Sequence, residues 1–221
     1  MFPINRSQLD QEAAKSGAKQ QPVRNNSLVF DAVKLTFLNL VETISNLATY
    51  NAVHWSTNVD RWHKNLSSSN TTTYKRGDIV FLDLGAQNFI HEPSYTHACI
   101  VLANKYDSIL VVPCSTKQYG TGHPGIIDAT PADGFVKNTG VQSFNFRWVS
   151  KNRVVSRTGK KVSSQILNQL DAVLVSFAPS IENSIKQKDQ LINEQANQIA
   201  ELQKRIEEVT QKPNKNEDSR E

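Results

Sequence analysis

The chain has little cysteine, no long apolar run and no clustered metal ligands, and each shortage narrows what it can do. Cysteine occurs twice in 221 residues, at Cys99 and Cys114, both inside apolar strand-like runs. Two such thiols read as buried small hydrophobes. A cross-strand disulfide is the lesser alternative, because nothing else in the sequence suggests secretion. No stretch reaches the ~18 uninterrupted apolar residues of a membrane span. The opening MFPINR runs into SQLDQEAAKSGAKQQ without a hydrophobic signal region, so the expectation is a cytoplasmic protein with no membrane contact. The five histidines show no paired spacing suited to zinc, and no metal or other cofactor is expected. Apolar residues make up only 38%, which leaves part of the chain for tail, linker or coil. Basic charge is in modest excess, 25 Lys and Arg against 21 Asp and Glu, for a net +4. That balance is compatible with a polyanionic partner without requiring one.

Composition divides the chain into six stretches. Residues 1–27 are polar and read as a disordered tail. From Leu28 an apolar pattern at helical spacing (Val29, Val33, Phe37, Leu40, Val41, Ile44) predicts a helix with Ser27 as N-cap. A second helical piece over 52–66 completes a helical extension, 28–66, with Trp55 and Trp62 sharing one face. Packing of those rings against the first helix or the next domain is the simpler reading. SSSNTTT then makes a linker, 67–73.

Residues 74–178 read as a β-rich domain closed by a helix over Ser163–Phe177. GDIVFLDL, ACIVL, ILVVPC, PGIIDA and RWVSKNRVV are short strand-like runs broken by turn residues. Cys99–Leu102 and Ile109–Pro113 flank a polar turn of about six residues. Over 179–211, Ile185, Ile192, Ile199 and Ile206 recur every seventh residue. Ile181, Leu202 and Val209 hold the position three further on, shared with Lys188 and Gln195. This is the a/d seam of a parallel coiled coil, so a homodimer or higher homo-oligomer is expected. The charged tail, 212–221, reads as disordered.

The candidate chemistry lies at the strand ends. KRGDIVFLDL (Lys75–Leu84), HACIVL (His97–Leu102), ILVVPCSTK (Ile109–Lys117) and NFRWVSKNRVV (Asn145–Val155) follow in that order. This succession resembles the MazF/PemK family of ribonuclease toxins from bacterial toxin–antitoxin systems, through RGDIV, VVPCSTK and, more loosely, NFRWVSKNR. The resemblance implies an α+β fold: a small SH3-like (MazF/CcdB/PemK-type) β-barrel with a C-terminal helix, here extended at both ends. It implies a metal-independent endoribonuclease that cuts single-stranded RNA, mRNA in particular, at short motifs and so inhibits growth. In that chemistry the 2′-hydroxyl attacks the adjacent phosphate, leaving a 2′,3′-cyclic phosphate and a 5′-hydroxyl. The partners implied are RNA and a cognate antitoxin protein.

By position, the resemblance makes Ser115, with Thr116 beside it, the catalytic hydroxyl. The family's arginine is replaced by His97 and the following proline by Ala98. A histidine gives up the guanidinium fork but titrates near neutral pH, so His97 is a candidate general base or acid. The missing arginine also sustains an alternative: a non-catalytic RNA- or protein-binding module on the same barrel, oligomerised by the coiled coil. A passive barrel on a coiled-coil scaffold is a third, lesser reading. Arg147, Lys151, Arg153, Arg157, Lys160 and Lys161 fall in a run without Asp or Glu, a cationic strip of the kind phosphates need. Arg147, Lys151 and Arg153, with Lys117 and Arg76, are the candidate RNA contacts. Phe144, Phe146 and Trp148 alternate, which predicts that their rings face the barrel interior. Asp78 reads as a turn cap or a partner for a basic residue. The loop Gly85–Thr96, with His91 and Glu92, and His123 are candidates for shaping substrate choice. Leu28–Leu66 is also a candidate cover over the site.

Overall fold

The computed structural model describes residues 3–86, 88 and 92–210. His91 and the tail 212–221 lie outside the described residues, as does the side chain of Val209. The chain divides into two compact units, Met1–Cys114 with Arg147–Gly159, and Ser115–Phe146 with Lys160–Glu221.

The first unit opens with three helices: α1 (Arg6–Ala13), α2 (Ser27–Ser45) and α3 (Thr49–Asn65). α1 forms inside the stretch that reads as a disordered tail. The Asn5 side chain caps it by accepting from Gln8 N–H at 3.2 Å. The cap of α2 is Asn26 rather than Ser27. Asn26 has extended backbone and its Oδ1 accepts from Val29 N–H at 3.1 Å. Its amide also donates to Glu12 at 2.8 Å. The linker is held as well: Asn70 N–H donates to Asn152 Oδ1 at 2.9 Å, and Asn152 Nδ2 donates to the Ser68 carbonyl at 2.6 Å.

The strands of this unit are β1 (Asp78–Asp83), β2 (Thr96–Lys105), β3 (Ser108–Ser115, which crosses into the second unit after Cys114), β6 (Arg147–Ser150) and β7 (Val154–Lys161, which crosses after Gly159). β1 pairs antiparallel with β2, β2 with β3 and β3 with β6, while β7 lies on the other side of β1. Among the described residues the ladder does not close on itself. The fold is therefore helices on an open antiparallel sheet. Val80, Leu82 and Leu84 pack with Cys99, Val101, Ile109 and Val111 on one face. Ile79, Ile100 and Val112, of opposite parity, are buried too. A sheet covered on both faces accounts for apolar runs without alternation. The β2–β3 turn is tighter than the sequence suggests. Only Tyr106 and Asp107 lie between the strands, and Tyr106 takes a left-handed φ of 50°. RWVSKNRVV is two strands, not one, because Lys151–Arg153 forms a 3-10 turn capped by Ser150 Oγ, which accepts from Asn152 N–H at 3.2 Å.

The second unit holds the hairpin β4 (Ile126–Ala129) and β5 (Thr139–Gln142), then α4 (Ser164–Ser176) and α5 (Pro179–Thr210). β5, TGVQ, is too short and glycine-bearing to stand out in the sequence. Thr130 and Asp133 form a capping box, and Ser163 Oγ donates to Asp133 Oδ1 at 2.7 Å while capping α4. Gly134 has φ +94°, and a Cβ there would sit 1.9 Å from the Lys161 carbonyl oxygen, so glycine is required. α5 is one helix with its isoleucine stripe exposed, from 42% at Ile185 to 64% at Ile206.

Candidate active site

β2 brings His97 opposite Leu82 of β1, on the sheet face that carries Cys99 and Val101. Its Nδ1 lies 3.2 Å from the Cys114 carbonyl oxygen. A carbonyl only accepts, so Nδ1 carries the proton, and the lone pair of the neutral ring is left on Nε2. His97 is half-buried at the end of its core row. The register pairs Ala98 with Cys114 and Cys99 with Pro113. Both thiols are buried. Burial pushes the Cys99 thiol well up, with the nearby Cys114 adding to the rise and Arg147 opposing it. Burial likewise pushes Cys114 up, against a backbone hydrogen bond from Ile100. Neither sulfur is a thiolate nucleophile under ordinary conditions.

In the second unit Ser115 is half-buried, and its Oγ accepts from Lys117 N–H at 3.3 Å, starting the 3-10 turn Thr116–Gln118. Thr116 and Lys117 are exposed. That bond uses an acceptor site of the hydroxyl and leaves its O–H as a donor.

The six cations of the run differ in exposure: Arg157, Lys160 and Lys161 are exposed, Arg147 and Arg153 half-buried and Lys151 buried. Lys151, a candidate RNA contact by sequence, is 6% exposed. Its backbone explains the burial: Lys151 N–H donates to the Asp107 carbonyl at 2.8 Å, and its own carbonyl accepts from Asn70 Nδ2 at 2.9 Å. Arg153 donates to the Asp83 carbonyl at 3.3 Å. Arg157 pairs with Asp78 at 3.2 Å and lies over the Tyr74 ring at 5.5 Å. Asp78 also accepts from Lys75 N–H at 2.9 Å, the turn cap read from the sequence. Arg147 is half-buried on β6 opposite Val111. Arg76 is exposed and donates to the Leu102 carbonyl at 3.4 Å. The aromatics also depart from expectation: Phe144 and Trp148 are 48% and 52% exposed, and only Phe146 is partly covered, edge-on to Phe177 at 5.8 Å. The Phe144 ring lies against Gly125, where a Cβ would come within 2.3 Å of it, and 5.5 Å from the His123 ring. The base of the loop Gly85–Thr96 is pinned by Leu84 N–H to the Tyr95 carbonyl (2.8 Å) and Tyr95 N–H to the Gly85 carbonyl (2.7 Å). Glu92 in that loop is exposed.

Residues 75–178 match the sequence model of a family described as the PemK-like, MazF-like toxin of type II toxin–antitoxin systems. This stretch is a PemK/MazF toxin domain. No curated protein matches the chain. Among solved structures, MazF from Deinococcus radiodurans is similar at 16% identity, covering 48% of this chain and 96% of that one, with a TM-score of 0.41. An endoribonuclease in complex with its cognate antitoxin, from a Mycobacterial species, is similar at 16% identity over 48% and 93%, TM-score 0.36. The Mycobacterium tuberculosis toxin MazF-mt6 follows at 10% identity over 45% and 93%, TM-score 0.36.

Sequence reasoning missed how the helical extension meets the PemK/MazF domain. Arg61 of α3 pairs with Asp83 of β1 at 3.1 Å and reaches Thr96 Oγ1 at 3.4 Å. No pattern in the sequence links residues 61 and 83. Among the described residues no helix is long and apolar enough to cross a membrane, and no group of three or more potential metal ligands occurs.

Proposed function

We propose that the chain is the endoribonuclease toxin of a type II toxin–antitoxin pair and cuts single-stranded RNA without a metal. The observation that carries this reading is the end of the β2–β3 ladder inside a PemK/MazF domain. Ala98 is registered with Cys114, and the His97 ring sits on the Cys114 carbonyl. Along the chain His97 precedes the first of that pair and Ser115 follows the second. His97, with its lone pair on Nε2, takes the proton from the attacking 2′-hydroxyl. The Ser115 O–H donates to a phosphate oxygen as negative charge builds, with Thr116 beside it. Lys117 supplies an ammonium near the leaving 5′-oxygen. Arg147, Arg153 and Arg76 hold flanking phosphates, and the buried Lys151 is left out of this set. The partners are RNA, an antitoxin that blocks the RNA surface, and a second copy joined through the α5 seam of Ile185, Ile192, Ile199 and Ile206.

The test is incubation of the purified chain with a long RNA in EDTA, followed by mapping of the new ends. Cyclic-phosphate termini at a recurrent short motif are expected. His97→Ala and Ser115→Ala each lower the rate by about two orders of magnitude or more, the usual share of a positioned proton-transfer group or oxyanion donor. RNA bound but left intact by the wild type would overturn the nuclease reading in favour of a binding module.

A further inference from the structure

Tyr50, His54, Asn58 and Arg61 follow one another along α3 at spacings of four, four and three, so they share one face of the helix. Within the first unit that face meets the junction where the loop Gly85–Thr96 runs into β2, just ahead of His97. Arg61 acts there from a single nitrogen: Nη1 lies 3.1 Å from Asp83 Oδ2 and 3.4 Å from Thr96 Oγ1. Asp83 and Thr96 form the last pair of the β1–β2 ladder, and the pair before it is Leu82 with His97. Successive pairs point to opposite sides of a sheet. Arg61 therefore ties the two strands together one pair beyond His97, from the reverse face and away from the imidazole.

His54 bears on the residue before Thr96. Tyr95 has φ 68°, a left-handed conformation that a bulky side chain avoids and keeps only where its surroundings enforce it. Its ring lies 5.5 Å from that of His54. His54 in turn has Tyr50 edge-on at 4.3 Å, and its carbonyl accepts from the buried Asn58 amide at 2.7 Å. The kink at Tyr95 sets how β2 starts, and His97 is its second residue. The His97 ring keeps Nδ1 at 3.2 Å from the Cys114 carbonyl oxygen, a contact that a turn of the strand end would break. The ion pair with Asp83 alone would anchor the helix. The bridge to Thr96 and the ring against a strained Tyr95 act instead on the two residues that lead into His97. We propose that this face of α3 is a positioning element for His97: Arg61 and His54 fix the start of β2, and with it the angle at which the ring presents Nε2. That the aimed ring is a general base rests on the nuclease reading.

The experiment reads the His97 tautomer by nitrogen NMR of the full chain, with histidine isotopically labelled and the His97 signals assigned by their loss in His97→Gln. Alkaline buffer keeps imidazole neutral, so the ring nitrogens report which of them holds the proton. In the wild type it is Nδ1. Arg61→Ala, His54→Ala and Thr96→Val each move the ring toward a mixture of the two tautomers. Each also lowers kcat for RNA cutting about tenfold or more, with KM changed less than about twofold, the mark of a misaimed catalytic group. Thr96 is exposed, so Thr96→Val leaves the melting temperature within about 2 °C of the wild type and carries the test if Arg61→Ala fails to fold. An unchanged tautomer in the folded variants overturns the proposal and leaves α3 a structural anchor. Faster cutting by any of them also overturns it, by making the extension a cover. A tautomer shift in variants of a chain that cuts no RNA sinks the nuclease reading only. RNA cutting with tautomer and kcat both unmoved sinks the positioning role only.

Discussion

Removing Arg61 is the sharpest test of whether α3 is held on the sheet in solution. The Asp83 side chain is 7% exposed and that of Arg61 25%, with Nη1 at 3.1 Å from Oδ2. The other carboxylate oxygen, Oδ1, accepts from Gly85 N–H at 2.9 Å. Breaking a fully buried pair from one side costs about 3–5 kcal/mol, because the remaining charge has lost both water and partner. Arg61→Ala leaves Asp83 one backbone donor and opens a path for water through the partly exposed partner, which brings the expected cost to about 2 kcal/mol. Asp83→Ala leaves Gly85 N–H without its acceptor as well, for about 3 kcal/mol. Asp83→Asn keeps that acceptor and frees an arginine already near solvent, for about 1 kcal/mol. At ~2–4 °C per kcal/mol for a chain of this size, Arg61→Ala lowers the melting temperature by about 4–8 °C. The double variant Arg61→Ala with Asp83→Asn costs less than the sum, with a coupling of about 1 kcal/mol. Thermal melting gives the first quantity, and urea unfolding of the wild type, Arg61→Ala, Asp83→Asn and the double variant gives the second. A shift under about 1 °C for Arg61→Ala, or a coupling near zero, refutes the claim that this pair anchors the helix.

Two further outcomes follow from the second unit. The Asp133 carboxyl is held below the usual range by Thr130 N–H at 2.9 Å first and by Ser163 Oγ at 2.7 Å next. A carboxyl with a depressed folded pKa adds stability above its unfolded value, and that stability drains as pH falls through the folded one. Asp133→Asn therefore costs about 1 kcal/mol at neutral pH, the worth of a helix cap, and the gap to wild type narrows below about pH 4; a gap that is flat with pH contradicts this. The exposed α5 seam, with Ile192 60% open, predicts that the chain sediments at twice its mass. Ile192→Asp in the centre of the seam should reduce that mass or its concentration dependence, and an unchanged profile removes α5 from the interface.

Strand positions were legible because burial on both faces writes a continuous apolar run into β1, β2 and β3. What a run cannot say is which parity faces which neighbour. Phe144, Phe146 and Trp148 alternate as a half-buried strand should. The alternation gives phase only, and the covering layer that decides inside from outside comes from elsewhere in the chain. Hence two of the three rings are open to solvent. The burial of Lys151 is illegible for a related reason: its turn is held by backbone bonds to Asp107 and Asn70, partners 44 and 81 positions away. His97 and Ser115 were readable as candidates because a family pattern names those positions, whereas the tautomer of His97 needed the Cys114 carbonyl in place. Asn58 is the instructive case between these extremes. It lies three residues after Trp55 and four before Trp62, so an amide on the aromatic face of α3 was visible in the sequence. That its Oδ1 is buried without a partner among the described residues is a property of packing, which no pattern in the sequence carries.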